Sequence, residues 1–225
     1  MNSKKKTIQA NYDRLSRWYN LLSGSHEQRI RSSAMELLAV QPGEYVLEVG
    51  VGTGQALPGL LKSAGLGGMV IGVDLSIRML AQAKKLRAGE ARLIQADAAL
   101  LPLATGSQAA ILACFTLEIF PEDEVRPTLA EWLRVLEPGG RLCVVAMSVS
   151  RRLNAMERLY AWSARVVPDV IDCRPVDAVL LLEQGGFSLL RTKESTIWGL
   201  PLQIVLAEKP SFALGQMSGR EYLVK

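Results

Sequence analysis

The chain alternates between short apolar runs and segments in which apolar residues recur every three or four positions. Such recurrence predicts amphipathic helices, and short apolar runs bounded by turn residues predict buried strands. The predicted strands before residue 150 are 45–49, 69–74, 91–97, 109–115 and 141–147. Helical segments separate most of them, and this alternation predicts a parallel sheet covered by helices on both faces.

The N-terminal segment is predicted to be helical and to lie outside this alternation. Apolar and aromatic residues that include Tyr12 and Tyr19 form one stripe of a first helix. Ser25 is predicted to cap a second helix over 26–40, which Pro42-Gly43 ends.

The C-terminal part breaks the alternation in another way. Two helices are predicted at 151–165 and 176–184, and two strand-like runs follow at 187–196 and 200–210. The linker between these runs is too short for anything but an antiparallel pair. A turn is predicted at 137–140, ahead of the fifth strand.

The elements together predict one α/β domain over residues 1–225. It comprises an N-terminal helical extension (1–40), a doubly wound, mostly parallel sheet whose last strand is antiparallel (41–209), and a tail (210–225). With 49% hydrophobic and 21% charged residues, the composition excludes a disordered chain and a disulfide-stapled scaffold.

Cysteines and apolar stretches bear on the compartment. The three cysteines are widely spaced, so neither a disulfide framework nor a zinc site is predicted, and a reducing compartment is favoured. The apolar stretch 109–117 is too short to span a bilayer, and the polar residues after the first lysines are unlike a secretory signal. We therefore expect a cytoplasmic protein without a transmembrane span.

The net charge of +4 is concentrated at the start of the chain. Residues 1–31 carry seven basic and two acidic side chains, whereas the remainder is about neutral. This distribution favours peripheral contact with an anionic surface such as lipid headgroups over a protein built to grip nucleic acid. A solvated terminus is the alternative.

The segment LEVGVGTGQ, residues 47–55, places Gly50, Gly52 and Gly54 between a predicted strand and a predicted helix. Glycines at such a position let the backbone approach a ligand closely. The dinucleotide-binding pattern G-x-G-x-x-G would require a glycine where this chain has Gln55. The loop is therefore not typical of a pyrophosphate cradle.

Two aspartates follow at the ends of the next strands. Asp74 ends the second strand, 20 residues past Gly54, where a carboxylate can accept hydrogen bonds from both hydroxyls of a ribose. That function would suit NAD equally well. Asp97 ends the third strand. The alternative is that both aspartates only cap the helices that follow them.

The G-x-G-x-G spacing behind Glu48 resembles motif I of the class I S-adenosylmethionine-dependent methyltransferases. The stretch LRVLEPGGRLCVV and the antiparallel final pair resemble later parts of that family, so the resemblance covers about residues 12–209. Within the family, YDRLSRWYN, LLSGSHEQR and VDLSIRML resemble the UbiE-like group that C-methylates quinone precursors, and relatives that N-methylate phosphatidylethanolamine.

This resemblance implies a Rossmann-like seven-stranded sheet and S-adenosylmethionine as the cofactor. It implies that Asp97 reaches the exocyclic amine of adenine and that the first helix folds over the cofactor as a lid carrying Tyr19. An ordinary packed aromatic stripe is the alternative for Tyr19. The full set of implied cofactor contacts is Tyr19, Glu48, Gly50, Gly52, Gly54, Asp74, Leu75, Asp97, Ala98 and Thr116.

The loop after the fourth strand, Phe115–Phe120, bears on the methyl acceptor. It has no Asn/Asp-Pro-Pro-aromatic segment of the kind that orients a nucleobase amine, and no cysteine of the chain follows a proline as in cytosine-C5 enzymes. We therefore expect a small, lipid-soluble acceptor such as a quinone-precursor ring, with a phospholipid headgroup as the alternative. An NAD-linked reductase and a non-catalytic cofactor-binding module are the other hypotheses.

No catalytic base stands out. His26 is a candidate from its ordinary pKa, but the first turn of a helix more often places a histidine in solvent. Glu118 follows an apolar strand, where burial would help it to accept a proton or packing would explain it equally. Arg174 either pairs with an anionic group of the acceptor or is a solvated loop residue. Cys114 and Cys143 are predicted to be small core residues.

Overall fold

The computed structural model describes residues 19–86, 91–149 and 174–211, and the side chains of residues 19–25 lie outside this description. The predictions for Tyr12, for the side chain of Tyr19 and for a helix at 151–165 therefore lie outside the described residues. The helices are α1 (Tyr19–Leu38), α2 (Leu57–Ala64), α3 (Ile77–Lys85), α4 (Glu122–Val135) and α5 (Ala178–Gln184). The strands are β1 (Tyr45–Val49), β2 (Met69–Asp74), β3 (Arg92–Gln95), β4 (Gln108–Cys114), β5 (Leu136–Met147), β6 (Ser188–Ile197) and β7 (Leu200–Glu208).

All seven strands form one sheet in the order β3-β2-β1-β4-β5-β7-β6. β7 runs antiparallel to both β5 and β6, whereas the pairs from β3 to β5 are parallel. This confirms the predicted fold class. The strand order reverses between β1 and β4, and sheets of this kind bind ligands in the crevice beyond the carboxyl ends of the strands at such a point.

Helices cover both faces of the sheet, which explains why the central strands are apolar on both sides. One core cluster joins α1, α2 and α3 to side chains such as Val46 and Leu112. The other joins α4 and α5 to side chains such as Leu47 and Ile111 on the opposite face of the same strands. Because β1 and β4 are buried from both sides, their carboxyl ends are firmly placed.

Two predicted boundaries were wrong. Helix α1 runs without a break from Tyr19 to Leu38, so Ser25 lies inside a helix and does not cap one. The segment 137–140 belongs to β5 as an irregular bulge opposite β4, because Gly139 with φ of 77° and the Lys209 backbone hold it in the sheet. The predicted cap at Ser76 is confirmed, since its Oγ accepts the Met79 N–H at 3.1 Å.

Candidate functional site

A cleft opens beyond the carboxyl ends of β1 to β4 and holds about 990 Å³ of empty space, counting its open mouth. Most of the residues for which the sequence predicted cofactor contacts line it. These are Glu48, Gly50, Gly52, Asp74, Leu75, Asp97, Ala98 and Thr116. The structure thus brings the ends of four strands together at one site.

The glycine loop needs the backbone that its residues adopt. Gly50, Gly52 and Gly54 all have positive φ, between 53° and 81°, which side chains with a Cβ rarely tolerate. A Cβ on Gly52 would meet no protein atom closer than 3.9 Å, so this glycine faces open space in the cleft. A Cβ on Gly50 would lie 2.7 Å from Cγ2 of Thr116. The β1 loop therefore packs directly on the end of β4.

Gly54 was expected to contact the cofactor, and its position in the structure differs from this expectation. It does not line the cleft, and a Cβ there would come within 2.9 Å of Ala83 Cβ on α3. Its lack of a side chain serves the packing of the loop against the helices.

Asp74 ties the glycine loop to β2. Its Oδ2 accepts the Gly52 N–H and its Oδ1 accepts the Ser76 N–H, both at 2.8 Å. Each carboxylate oxygen has a second lone pair, so Asp74 can also accept hydrogen bonds from hydroxyls in the cleft. Asp74 does not cap α3, since Ser76 does, but it holds the turn ahead of that helix while it lines the cleft.

The loop after β3 is held in place by α4. Asp97 Oδ1 accepts the Ala99 N–H at 2.9 Å, which forms a turn. The indole N–H of buried Trp132 donates to the Ala98 carbonyl at 3.1 Å, and Glu131 accepts the Leu101 N–H at 2.7 Å. Asp97 and Ala98 thus face the cleft from a loop with fixed backbone.

The end of β4 supplies the opposite wall. Thr116 is buried and its hydroxyl lies 3.1 Å from the Val49 carbonyl and 3.0 Å from the Cys114 carbonyl. Phe115 has a φ of 55°, which is unusual for a residue with a side chain, and its N–H donates to the Val145 carbonyl at 2.8 Å. Strained backbone of this kind concentrates at functional sites.

Helix α1 brings a buried cation into the cleft that the sequence analysis did not single out. Arg31 is 9% exposed, its Nη2 lies 2.8 Å from Oε2 of Glu27, and its guanidinium carbon lies 5.8 Å from the centre of the Phe115 ring. The i,i+4 spacing of Glu27 and Arg31 was a signal for the pair. The Arg31 side chain reaches the cleft because of the way α1 packs on the sheet, and the spacing of residues along the helix does not reveal that packing.

Glu48 is buried beside this cation. Burial raises the pKa of its carboxyl to about 8, Arg31 opposes the rise, and Asp74 adds to it. Its Oε2 has no hydrogen-bond partner among the described residues. The group is therefore protonated at neutral pH and keeps an acceptor site open for a donor within the cleft.

Of the remaining candidates, only Cys114 belongs to the cleft lining. His26 is exposed on α1. Arg174 is exposed, and its guanidinium donates to the Phe120 carbonyl at 2.9 Å and lies 3.5 Å from Glu122.

Glu118 is buried beside the lining residues, with Oε1 accepting the Met147 N–H at 3.3 Å. Cys143 is a buried free thiol in the core, as predicted, and Cys114 is buried but also lines the cleft.

The arrangement matches a known family at the sequence level. Residues 46–140 match the model of the methyltransferase domain family. The ubiquinone/menaquinone biosynthesis C-methyltransferase UbiE of Syntrophotalea carbinolica is 32% identical over 210 residues, which cover 84% of this chain and 86% of that protein. The chain belongs to the UbiE-type class I S-adenosylmethionine-dependent methyltransferases. It is an enzyme that uses S-adenosylmethionine as its cofactor.

Another relative agrees with this methyltransferase assignment, and solved structures share the fold. The demethylmenaquinone methyltransferase of Thermus thermophilus is 36% identical over 141 residues, 61% of each chain. A Burkholderia thailandensis 1,6-didemethyltoxoflavin-N1-methyltransferase has a TM-score of 0.69 over 91% of this chain and 88% of that chain. A methyltransferase from Aquifex aeolicus has a TM-score of 0.61 over 79% of this chain and 88% of that chain. Their identities of 16% and 23% show the fold alone.

Two observations show that the cleft fits the cofactor. A Cβ on Gly52 would project into open space, so the loop leaves room for a ligand against its backbone. The buried Oε2 of Glu48 is unpartnered at the same end of the cleft as the Arg31 cation. S-adenosylmethionine carries a carboxylate on its amino-acid tail, which is complementary to Arg31, and an ammonium, which would favour the ionised form of Glu48.

Proposed function

We propose that this enzyme transfers the methyl group of S-adenosylmethionine to a ring carbon of a quinone precursor in its reduced, hydroxylated form. The observation that carries the proposal is the 32% identity to a UbiE C-methyltransferase across 84% of the chain. The relatives named demethylmenaquinone methyltransferases support the same acceptor class. No contact in the cleft favours a phospholipid headgroup.

The cofactor half of the site follows from the residues around the glycine loop. Asp74 would accept the ribose hydroxyls while it holds the Gly52 N–H. Asp97 would accept the adenine amine, with Ala98 beside it. Arg31 would pair with the carboxylate of the amino-acid tail and Glu48 with its ammonium. When bound, the cofactor supplies a methyl group already activated by a sulfonium.

The acceptor half is formed by the residues after β4. Phe115, Ile119 and Phe120 line this part of the cleft. Flat aromatic acceptors favour such apolar and aromatic walls. A charged headgroup would have to lose its water against these side chains, which is costly without paired charges. The walls therefore support a ring acceptor over phosphatidylethanolamine.

The chain contributes alignment and exclusion of water to this reaction. Thr116 and Gly50 lock the end of β4 onto the β1 loop, so the acceptor wall and the cofactor loop keep one relative position. Because the two reactants are held in a fixed geometry, less entropy is lost when they react. Phe115 and Phe120 cover this part of the cleft with apolar surface.

A competition between acceptors tests the proposal. The full chain is incubated with methyl-labelled S-adenosylmethionine and vesicles that contain both a short-chain demethylmenaquinone, reduced with dithionite, and phosphatidylethanolamine. We expect label in the quinone fraction alone, and none when the reductant is omitted. Label in the phospholipid would contradict the proposal and favour headgroup methylation.

Access to a lipid-dissolved acceptor is a further part of the proposal. None of the described helices is long and apolar enough to cross a membrane. Apart from Arg31, which is buried in the cleft, residues 1–31 carry six basic side chains, and this concentration supports peripheral contact with an anionic membrane from the cytoplasmic side. Flotation with phosphatidylglycerol vesicles at low salt should carry the enzyme upward, and flotation with neutral vesicles should not.

A further inference from the structure

Glu118 is buried at the carboxyl edge of the sheet in a way that its own surroundings do not explain. Its side chain is 1% exposed, and one carboxyl oxygen accepts the Met147 N–H at 3.3 Å. The other oxygen, Oε2, has no hydrogen-bond partner among the described residues. A buried polar atom without a hydrogen-bond partner destabilises the fold. Packing alone would favour an apolar residue at this position.

The position of Glu118 relates it to the acceptor half of the cleft. It lies in a short 3-10 helix, Leu117–Ile119, between Thr116 and Ile119, which both line the cleft. Its carboxyl also acts electrostatically on the thiol of Cys114, another lining residue. The carboxyl therefore lies directly behind residues that line the cleft, at the end of β5, and is not itself part of the lining.

The groups that face Glu118 leave its charge uncompensated. β5 contributes the Met147 N–H, and β4 contributes the Cys114 thiol, whose pKa burial raises well above its ordinary value. Arg174 donates its backbone N–H to the Glu118 carbonyl at 3.4 Å, but its guanidinium is directed to Phe120 and Glu122. No ion pair is recorded for Glu118 within the described ranges.

Burial raises the pKa of Glu118 to about 7, although its own N–H and that of Met147 lower it. A carboxyl with this pKa exists in both forms near neutral pH. General bases work best when their pKa lies near the working pH.

We propose that Glu118 is the general base of the methyl transfer and that its Oε2 accepts the proton of a ring hydroxyl of the acceptor. The inference rests on the proposed function, because a hydroquinone ring carbon becomes a strong nucleophile only when a hydroxyl of the ring loses its proton.

The step balances as follows. The O–H bond breaks, its proton goes to Glu118, and its electron pair is delocalised onto the ring carbon. That carbon forms a bond to the methyl carbon as the methyl–sulfur bond breaks, with the bonding pair left on sulfur. Loss of the C–H proton to water and return of the Glu118 proton to the ring oxygen restore the aromatic hydroquinone, so one proton is released per turnover.

Glu118→Gln tests this with little change in shape, since its amide oxygen can still accept the Met147 N–H. We expect kcat with reduced demethylmenaquinone to fall at least about 100-fold at pH 7, the lower range for the loss of a general base. The Kd of S-adenosylhomocysteine should stay within about threefold, which also shows that the variant is folded. The difference in kcat between the variant and the wild-type enzyme should become smaller near pH 10, where a phenolic hydroxyl ionises in water without a base.

Glu44→Gln is the matched control, because Glu44 is a partly buried carboxylate ahead of β1, at the edge of the sheet opposite the cleft, that pairs with Arg141 and the Gln41 N–H. It should lower the melting temperature and leave the pH profile of kcat unchanged. A Glu118→Gln enzyme with wild-type kcat and an unchanged pH profile would overturn the inference while leaving the proposed function intact.

Two further results separate the claims. If the glutamine variant does not bind S-adenosylhomocysteine, the wild-type profile decides: kcat must rise with pH through one ionisation between about pH 6 and 8, and a flat profile overturns the assignment. If the wild-type enzyme binds the cofactor but does not methylate the hydroquinone, the proposed function itself is contradicted and the inference falls with it.

Discussion

Asp74 shows how one side chain can serve both structure and ligand. Its two oxygens accept the Gly52 and Ser76 N–H groups at 2.8 Å, so it fixes the glycine loop before a cofactor arrives. The same carboxylate lines the cleft. A loop held in its binding geometry has less entropy to lose on binding, which raises affinity.

Replacing Asp74 with alanine should weaken the binding of S-adenosylhomocysteine by about 1–3 kcal/mol, or roughly 5- to 150-fold in Kd. The change removes the proposed acceptor of the ribose hydroxyls and releases the Gly52 N–H. Isothermal titration calorimetry measures the loss. Asp177→Ala is the control, since Asp177 caps α5 through the Leu180 N–H and lies outside the cleft lining. Unchanged affinity in the Asp74 variant would contradict the cofactor site.

Arg31→Met should weaken S-adenosylhomocysteine binding at least about tenfold, because an ion pair to the amino-acid carboxylate is lost from a buried site. It should leave the Kd of 5′-methylthioadenosine unchanged, because that nucleoside lacks the amino-acid tail. Arg29→Met, on an exposed turn of the same helix, should alter neither. An equal loss for both ligands would show that Arg31 supports the fold of the cleft and does not bind the tail.

At the level of elements, the β6–β7 hairpin is unusual in its turn residues. Trp198 and Gly199 form a two-residue connection with φ of 50° and 80°, and Ile197 pairs with Leu200. Two positive φ values are the mark of a type I′ turn, which prefers Asn-Gly. A tryptophan at the first of these positions is strained.

We therefore expect Trp198→Asn to stabilise the fold by about 0.5–1 kcal/mol. Urea unfolding should show a higher midpoint with an unchanged m-value. Half of Trp198 is exposed, so the gain is observed only if the buried half of the indole makes weak contacts. A lower midpoint would mean that the indole contributes more through its contacts than its backbone costs.

Helices and strands were predictable from sequence where local chemistry decides them. The strand runs, the Ser76 cap and the antiparallel final pair follow from apolar patterning and linker length. Ser25 and the segment 137–140 were predicted wrongly because tertiary contacts override the local preference for a cap and a turn. The same distinction applies to the site residues. The aspartates at the strand ends were predictable from local sequence, whereas Arg31 reaches the cleft only because of the tertiary packing of α1.

At the level of the whole molecule, two buried acids link stability to pH. Burial raises the pKa of Glu48 to about 8 and that of Glu118 to about 7, from an ordinary value of 4.5. Between pH 5 and these values the folded chain holds protons that the unfolded chain has lost. Stability therefore falls as pH rises through this window, by up to about 1.4 kcal/mol per pH unit for each proton.

Unfolding free energies at intervals from pH 5 to 9 should show this decline in the wild-type enzyme. In Glu48→Gln the decline should be smaller, above all between pH 7 and 8, because the proton that Glu48 holds in the folded chain is absent. Added S-adenosylhomocysteine should flatten the wild-type curve, since its ammonium favours the Glu48 carboxylate. A stability that rises between pH 6 and 8 would contradict the protonated, buried state of these two groups.

The most direct measurement of the central claim is the chemical position of the transferred methyl group. The enzyme is given S-adenosylmethionine with an isotope-labelled methyl group and reduced short-chain demethylmenaquinone, and the product is examined by NMR. We predict a labelled methyl on a ring carbon next to a hydroxyl-bearing carbon. A label on oxygen, or tight cofactor binding with no label on the ring, would contradict it.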